Sequence, residues 1–154
     1  MHRLVDTFDE HGLERVAKVR VLYADTDKMG VVYHASYLRM MEQGRVELIR
    51  ATGMAYADME AQGFGLPVTD IAISYLAPAC YDDIVSIEVA LARLSLVRVF
   101  FHYRLCIEPG DRRGIQERLV LLRAETRHAC VTIADGRPAR LPDGTLELLK
   151  TRLR

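Results

Sequence analysis

Residues 23–37 read Tyr23-Ala24-Asp25-Thr26-Asp27-Lys28-Met29-Gly30-Val31-Val32-Tyr33-His34-Ala35-Ser36-Tyr37. This stretch decides the fold, because it carries the chain from a strand through a glycine turn into a helix. The helix itself is read from residues 37–51: apolar or small residues recur at Tyr37, Met40, Met41, Gly44, Leu48 and Ala51, while Arg39, Glu42, Gln43, Glu47 and Arg50 take the opposite side. That is the periodicity of a helix with one buried face. It is expected to begin between His34 and Tyr37, with Ser36 as one candidate cap, and to end near Gly53, which tolerates the left-handed backbone of a C-terminal cap. The first amide groups of such a helix have no intrahelical partner and carry partial positive charge, so a carbonyl oxygen placed there is stabilised as it becomes an oxyanion. Asp25 and Asp27 stand just upstream, and a carboxylate beside an oxyanion donor is a minimal hydrolytic site.

On the N-terminal side, residues 16–23 are β-branched and roughly alternating, which predicts a strand leading to Asp25. Residues 1–14 are mixed and polar and read as an N-terminal appendage to a single domain over 15–154. Beyond the long helix, a short one is expected over residues 56–62, before Gly63-Phe64-Gly65. From there the pattern turns to strands, over residues 66–75, 84–92, 96–107 and 118–133. Val99, Phe101, Tyr103, Leu105 and Ile107 share one face of the third, and Val120, Leu122, Ala124, Thr126, His128 and Cys130 one face of the fourth. Residues 146–153 suit a last helix. One strand, a long helix, a short helix and four further strands imply an α+β fold, with an antiparallel sheet of about five strands wrapped on one buried helix.

Composition narrows the function classes. Half of the 154 residues are hydrophobic and 27% are charged, enough for one domain with a core of its own. Lys+Arg and Asp+Glu balance at 21 each, with no run of like charge, so neither nucleic acid nor an anionic membrane is expected as a partner. No segment approaches the ~18 apolar residues of a spanning helix, and no apolar run near the N-terminus suggests a leader. Cys80, Cys106 and Cys130 are odd in number, far apart and set in strand-like runs, so they read as reduced core thiols of a cytoplasmic protein. No CxxC or Cys/His ligand pair, Gly-x-Ser-x-Gly elbow, Walker loop, His-Glu-x-x-His or Gly-x-Gly-x-x-Gly occurs, so no metal and no cofactor is expected. His102 and His128, on strands, read as packed or surface residues.

Asp25-Thr26-Asp27, then residues 30–37, then Glu42, Arg45, Glu47 and Arg50, resemble the hotdog-fold acyl-CoA thioesterases of the 4-hydroxybenzoyl-CoA thioesterase family, most closely its tol-pal-associated branch. The likeness continues through Tyr75, Ala77-Pro78-Ala79 and Asp82-Asp83 and covers roughly residues 17 to 135. It implies the hotdog fold and hydrolysis of a small or medium acyl-CoA. It also implies Asp27 as the catalytic carboxylate, acting as nucleophile or general base, with Asp25 a decoy. His34 is then the second catalytic residue, through its backbone N–H as oxyanion donor or its ring as a proton carrier, while Gly30, Val31, Tyr33 and Tyr37 meet the substrate. The same resemblance implies a homodimer joined edge to edge, or a homotetramer built from two such pairs.

The alternatives are plain ones. Both acids could be turn formers, His34 a packed histidine and Gly30 a turn glycine. Arg45 is expected to pair with Glu42 on the helix, and Arg93, Arg98 and Arg104 are candidates for coenzyme phosphates or ordinary solvated residues. An enzyme acting on acyl groups carried by acyl carrier protein would look alike at its catalytic end, and a non-catalytic acyl-CoA-binding module is the rival from another class. A dehydratase of this fold is disfavoured, for want of its proline-rich His and acid setting.

Overall fold

The structure, a computed structural model, describes residues 8–153; residues 1–7 of the expected appendage lie outside the described residues. The elements in order are β1 (Glu14–Arg20), a 3-10 turn (Tyr23–Asp25), α1 (Ser36–Arg50), α2 (Tyr56–Ala61), β2 (Phe64–Gly65), β3 (Val68–Tyr75), β4 (Ile84–Leu94), β5 (Arg98–Ile107), β6 (Leu119–Ala129), β7 (Val131–Thr132) and α3 (Asp143–Lys150). Five strands form one antiparallel sheet in the order β1-β4-β5-β6-β3, and β2 pairs with β7 in a small second sheet. This is the α+β hotdog arrangement expected, with α1 lying on the sheet against β4 and β1.

Alternation along the strands builds the core between sheet and helix. Val85, Ile87, Val89 and Leu91 of β4 and Val99, Phe101, Tyr103, Leu105 and Ile107 of β5 are all fully buried. Val89 lies opposite Tyr103 and Ile87 opposite Leu105 in the register, so the two apolar rows meet α1 as one surface. Gly44 permits the close approach of the helix: a Cβ there would stand 2.5 Å from Ile87 Cγ2 and 2.9 Å from Val89 Cγ2.

Several local expectations are corrected. The first strand runs Glu14–Arg20, and the chain then tightens into a 3-10 turn. Ser36 is buried in the first turn of α1 and does not cap it; Ala35 occupies the cap position, which has no side-chain cap hydrogen bond. At the other end Gly53 does adopt positive φ, at 92°. Ile49 is buried, whereas Ala51, the residue that ends the helix, is exposed beyond the last turn that meets the sheet. Arg45 hydrogen-bonds the buried Tyr103 hydroxyl, 3.2 Å away, rather than Glu42, since it reaches under the helix where that hydroxyl needs a partner. Cys80 is partly exposed, in an isolated bridge with Val31; Cys106 and Cys130 are buried, and all three are free thiols.

The outer face of the sheet is polar yet covered. Glu88 of β4 accepts from Arg104 Nε at 2.5 Å and from Arg118, and Arg104 also meets Glu10. Glu10 bridges onward to Arg123, and Phe8 stacks on the His102 ring with centroids 5.1 Å apart. His102 in turn is 2.7 Å from Glu125, which also accepts from Arg127. Burial pushes the Glu125 carboxyl upward, but the hydrogen bonds from Arg127 and His102 outweigh it and leave the group below its ordinary value. Arg104 is thereby paired with carboxylates, and Arg93 lies over the Phe100 ring at 5.9 Å from its centroid. Among the described residues, no helix is long and apolar enough to cross a membrane.

Candidate active site

Residues 25–33 form a tight hairpin between the 3-10 turn and α1. Tyr33 N–H donates to the Asp25 carbonyl at 2.8 Å, Thr26 and Val32 form a bridge, and Asp27 N–H donates to the Val31 carbonyl at 2.9 Å. Gly30 N–H closes the turn on the Asp27 carbonyl at 3.0 Å, with Gly30 at φ 79°, the left-handed third position of a three-residue hairpin loop. An added Cβ at Gly30 would meet nothing within 4 Å, so backbone conformation is what calls for glycine here. Val31 also bridges Cys80, and Val32 N–H donates to the Ala79 carbonyl at 2.8 Å, which pins the hairpin to the turn before β4.

The two aspartates differ in their surroundings. Asp25 is buried; its Oδ2 accepts from Leu22 N–H at 2.9 Å and its Oδ1 faces the Arg39 guanidinium of α1. Asp27 is half-buried. Its Oδ1 accepts from Met29 N–H at 2.8 Å, a local turn bond, and its Oδ2 has no hydrogen bond among the described residues. One carboxylate is thus locked in an ion pair, and the other keeps an oxygen free.

After the hairpin, Ser36 N–H donates to the Tyr33 carbonyl at 2.8 Å, starting α1. The amides of His34 and Ala35 make no hydrogen bond among the described residues, and no side chain caps the helix. The His34 ring is exposed and lies against the Tyr33 ring, with centroids 4.3 Å apart. A cleft of about 300 Å³ opens here, lined by Val32, His34 and Tyr37 and by residues 75–78. Tyr75, at the end of β3, donates its hydroxyl to the His34 carbonyl at 2.9 Å, and Ala79 N–H donates to the Tyr37 hydroxyl at 3.0 Å. Burial raises both tyrosine hydroxyls above their ordinary pKa; at Tyr37 the Ala79 N–H opposes the shift.

Of the expected site residues, His34 and Tyr37 line this cleft. Asp27, Gly30, Val31 and Tyr33 form the adjoining hairpin without lining it in a single chain. Tyr75 and Ala35 belong to the stretches that carry the resemblance but had no site role assigned: a strand-end tyrosine and a cap alanine gain one only once β3 and α1 are side by side. A second cleft, of about 400 Å³, lies between β1 and α1 around Asp25 and Arg39. Its cations are matched, Lys18 by Asp111 at 2.7 Å, Arg20 by Asp82 at 2.8 Å and Arg39 by Asp25.

Beneath the helix, Arg45 Nη1 donates to the Tyr103 hydroxyl, which lies 3.0 Å from Thr126 Oγ1. That oxygen lies 2.9 Å from His128 Nε2, and His128 Nδ1 lies 2.9 Å from the Leu66 carbonyl. The carbonyl can only accept, so Nδ1 carries the proton of a neutral imidazole, and Thr126 donates to Nε2. Burial holds this histidine neutral, with Arg45 adding to the effect and the Leu66 bond opposing it, and its pKa falls to about 4.

Comparison with known proteins places these features in a family context. Residues 21–149 match the profile of the thioesterase-like superfamily. YneP of Bacillus subtilis is 34% identical over 121 residues, covering 79% of this chain and 82% of that protein. The acyl-CoA thioesterase YbgC of Haemophilus influenzae is 32% identical over 125 residues, covering 80% and 85%. The crystal structure of a DHNA-CoA thioesterase from Staphylococcus aureus superposes with a TM-score of 0.77 at 30% identity, over 88% of this chain and 87% of that one.

Proposed function

The chain belongs to the thioesterase-like superfamily, and from that membership we propose that it is an acyl-CoA thioesterase in which water cleaves the thioester of a small or medium acyl-CoA. Asp27 supplies the carboxylate, as general base on water or as nucleophile, and the helix start at His34 holds the oxyanion. The observation that carries this reading is the pairing, joined by one hairpin, of a half-buried carboxylate and an uncapped helix start, in which one Asp27 oxygen and the His34 amide have no hydrogen-bond partner among the described residues. A thioester is electrophilic enough for positioning plus one carboxylate to suffice. In this reading Gly30, Val31, Tyr33 and Tyr37 border the bound substrate, and coenzyme A is the acyl carrier, as in the names of YbgC and the staphylococcal enzyme.

The same reading includes a homodimer. β3 is an edge strand of the sheet, and Val68, Ile71 and Tyr75 on it are each more than 40% exposed, so two such edges pairing would cover both. Light scattering should then give about twice the 17.5 kDa of one chain. Purified protein incubated with a panel of aliphatic and aromatic acyl-CoAs and a thiol-trapping reagent tests the activity itself. Release of free coenzyme thiol with turnover is expected. Binding without release across the panel would favour the non-catalytic module, and release only from acyl carrier protein would move the assignment to that carrier.

A further inference from the structure

The two peptide groups that lead into α1 are alike in one respect. In the Tyr33–His34 peptide the carbonyl accepts from Ser36 N–H, and in the His34–Ala35 peptide the carbonyl accepts from the Tyr75 hydroxyl at 2.9 Å. In each, the N–H on the other side, of His34 or Ala35, has no hydrogen bond among the described residues. A peptide that accepts at oxygen becomes a stronger donor at nitrogen, because successive hydrogen bonds polarise one another. The first of these bonds is made within the turn, as in any helix start. The second comes from another element, the end of β3, and from a side chain that lines the cleft.

Packing alone does not explain a hydroxyl at this position. The Tyr75 ring lies against Tyr37, with centroids 5.8 Å apart and tilted by 50°, a contact a phenylalanine would make equally well. At 48% exposure the hydroxyl could be satisfied by solvent, yet it is directed at the one carbonyl whose peptide carries the unused Ala35 N–H. We infer that Tyr75 is a positioning residue, whose hydroxyl fixes and polarises the His34–Ala35 peptide so that the Ala35 N–H joins the His34 N–H in holding the oxyanion. This rests on the thioesterase reading above. A phenol is protonated across the neutral range and partial burial raises its pKa further, so the hydroxyl remains a donor there.

Losing a direct oxyanion donor costs about 10²- to 10³-fold in kcat, and a donor acting through a peptide costs less. Tyr75→Phe should lower kcat about tenfold, leave KM within about twofold, and leave the unfolding temperature unchanged. Replacing Tyr75 by a fluorinated tyrosine, a stronger donor with a more acidic phenol, should restore kcat at low pH. It should then lose kcat as pH rises through the phenol's lowered pKa, a limb that a purely structural role would not create. Asp27→Asn in the same assay separates the two levels of the argument. If Asp27→Asn abolishes turnover while Tyr75→Phe keeps kcat within twofold, or raises only KM, the Tyr75 inference is overturned and the thioesterase reading stands. If Asp27→Asn turns over normally, only the assignment of the carboxylate is wrong; if the wild type releases no coenzyme thiol from any acyl-CoA, the thioesterase reading fails and the inference falls with it.

Discussion

Asp25 is ion-paired with Arg39, Oδ1 against Nη2, which ties the 3-10 turn before the hairpin to the first turn of α1. The Arg39 side chain is 68% exposed and that of Asp25 only 10%, so water still solvates the cation when the anion is lost. Asp25→Asn should therefore cost about 1 kcal/mol of stability and leave turnover within about threefold of wild type. Chemical denaturation read beside the thiol-release assay checks both parts.

At Gly44 the backbone of α1 lies close against β4. In an open helix Gly→Ala gains about 1 kcal/mol, but here the new methyl meets Ile87 and Val89 at 2.5 and 2.9 Å. Both neighbours are β-branched and fully buried, and overpacking of this kind costs about 1 to 3 kcal/mol. Gly44→Ala should lower stability by roughly 1 kcal/mol net, a fall of about 2 to 4 °C in unfolding temperature for a chain of this length. A rise in unfolding temperature would mean that the helix moves away freely.

His128 sets an acid limit on stability. Its pKa of about 4 in the fold lies below the ordinary 6.5. The unfolded chain therefore binds the proton first as pH falls, and the stabilisation is full above pH 6.5 and lost progressively towards pH 4. Wild type should lose about 3 kcal/mol over that range through this residue. His128→Gln should be less stable at pH 7, and the gap should narrow as pH falls; a gap constant with pH would show that the imidazole is not held neutral.

His34 separates main chain from side chain, since His34→Ala keeps the amide. If only the amide acts, kcat should stay within roughly tenfold, a change of about 1.4 kcal/mol in the barrier. A loss beyond a hundredfold, with a limb of the pH–rate profile gone, would assign proton transfer to the ring.

Much of this architecture is legible in the chain. The stripe from Tyr37 to Leu48 sets α1 on its sheet, and the alternation from Val99 to Ile107 sets β5, because both depend on neighbours within a few residues. What escaped depends on distance along the chain. Arg104 reads locally as a phosphate ligand or a solvated residue and His102 as packed or surface, but the carboxylates that hold them, Glu88, Glu125 and Glu10, come from other elements. Arg45 looked like a helix-surface partner of Glu42 and instead serves Tyr103 on β5. The hairpin at Asp27 was readable as a glycine turn; its bonds to Val31 and the pinning of Val32 on Ala79 were not.

The central claim is that Asp27 does the chemistry while Asp25 holds the fold. Asp27→Asn is the direct measurement, because the amide oxygen can still accept from Met29 N–H and preserve the turn, whereas it cannot act as base or nucleophile at neutral pH. With an acyl-CoA that wild type hydrolyses, kcat of the variant is predicted to fall by about 10²- to 10⁴-fold, with KM and unfolding temperature little changed. Near wild-type kcat in Asp27→Asn, with turnover lost in Asp25→Asn instead, would contradict the account.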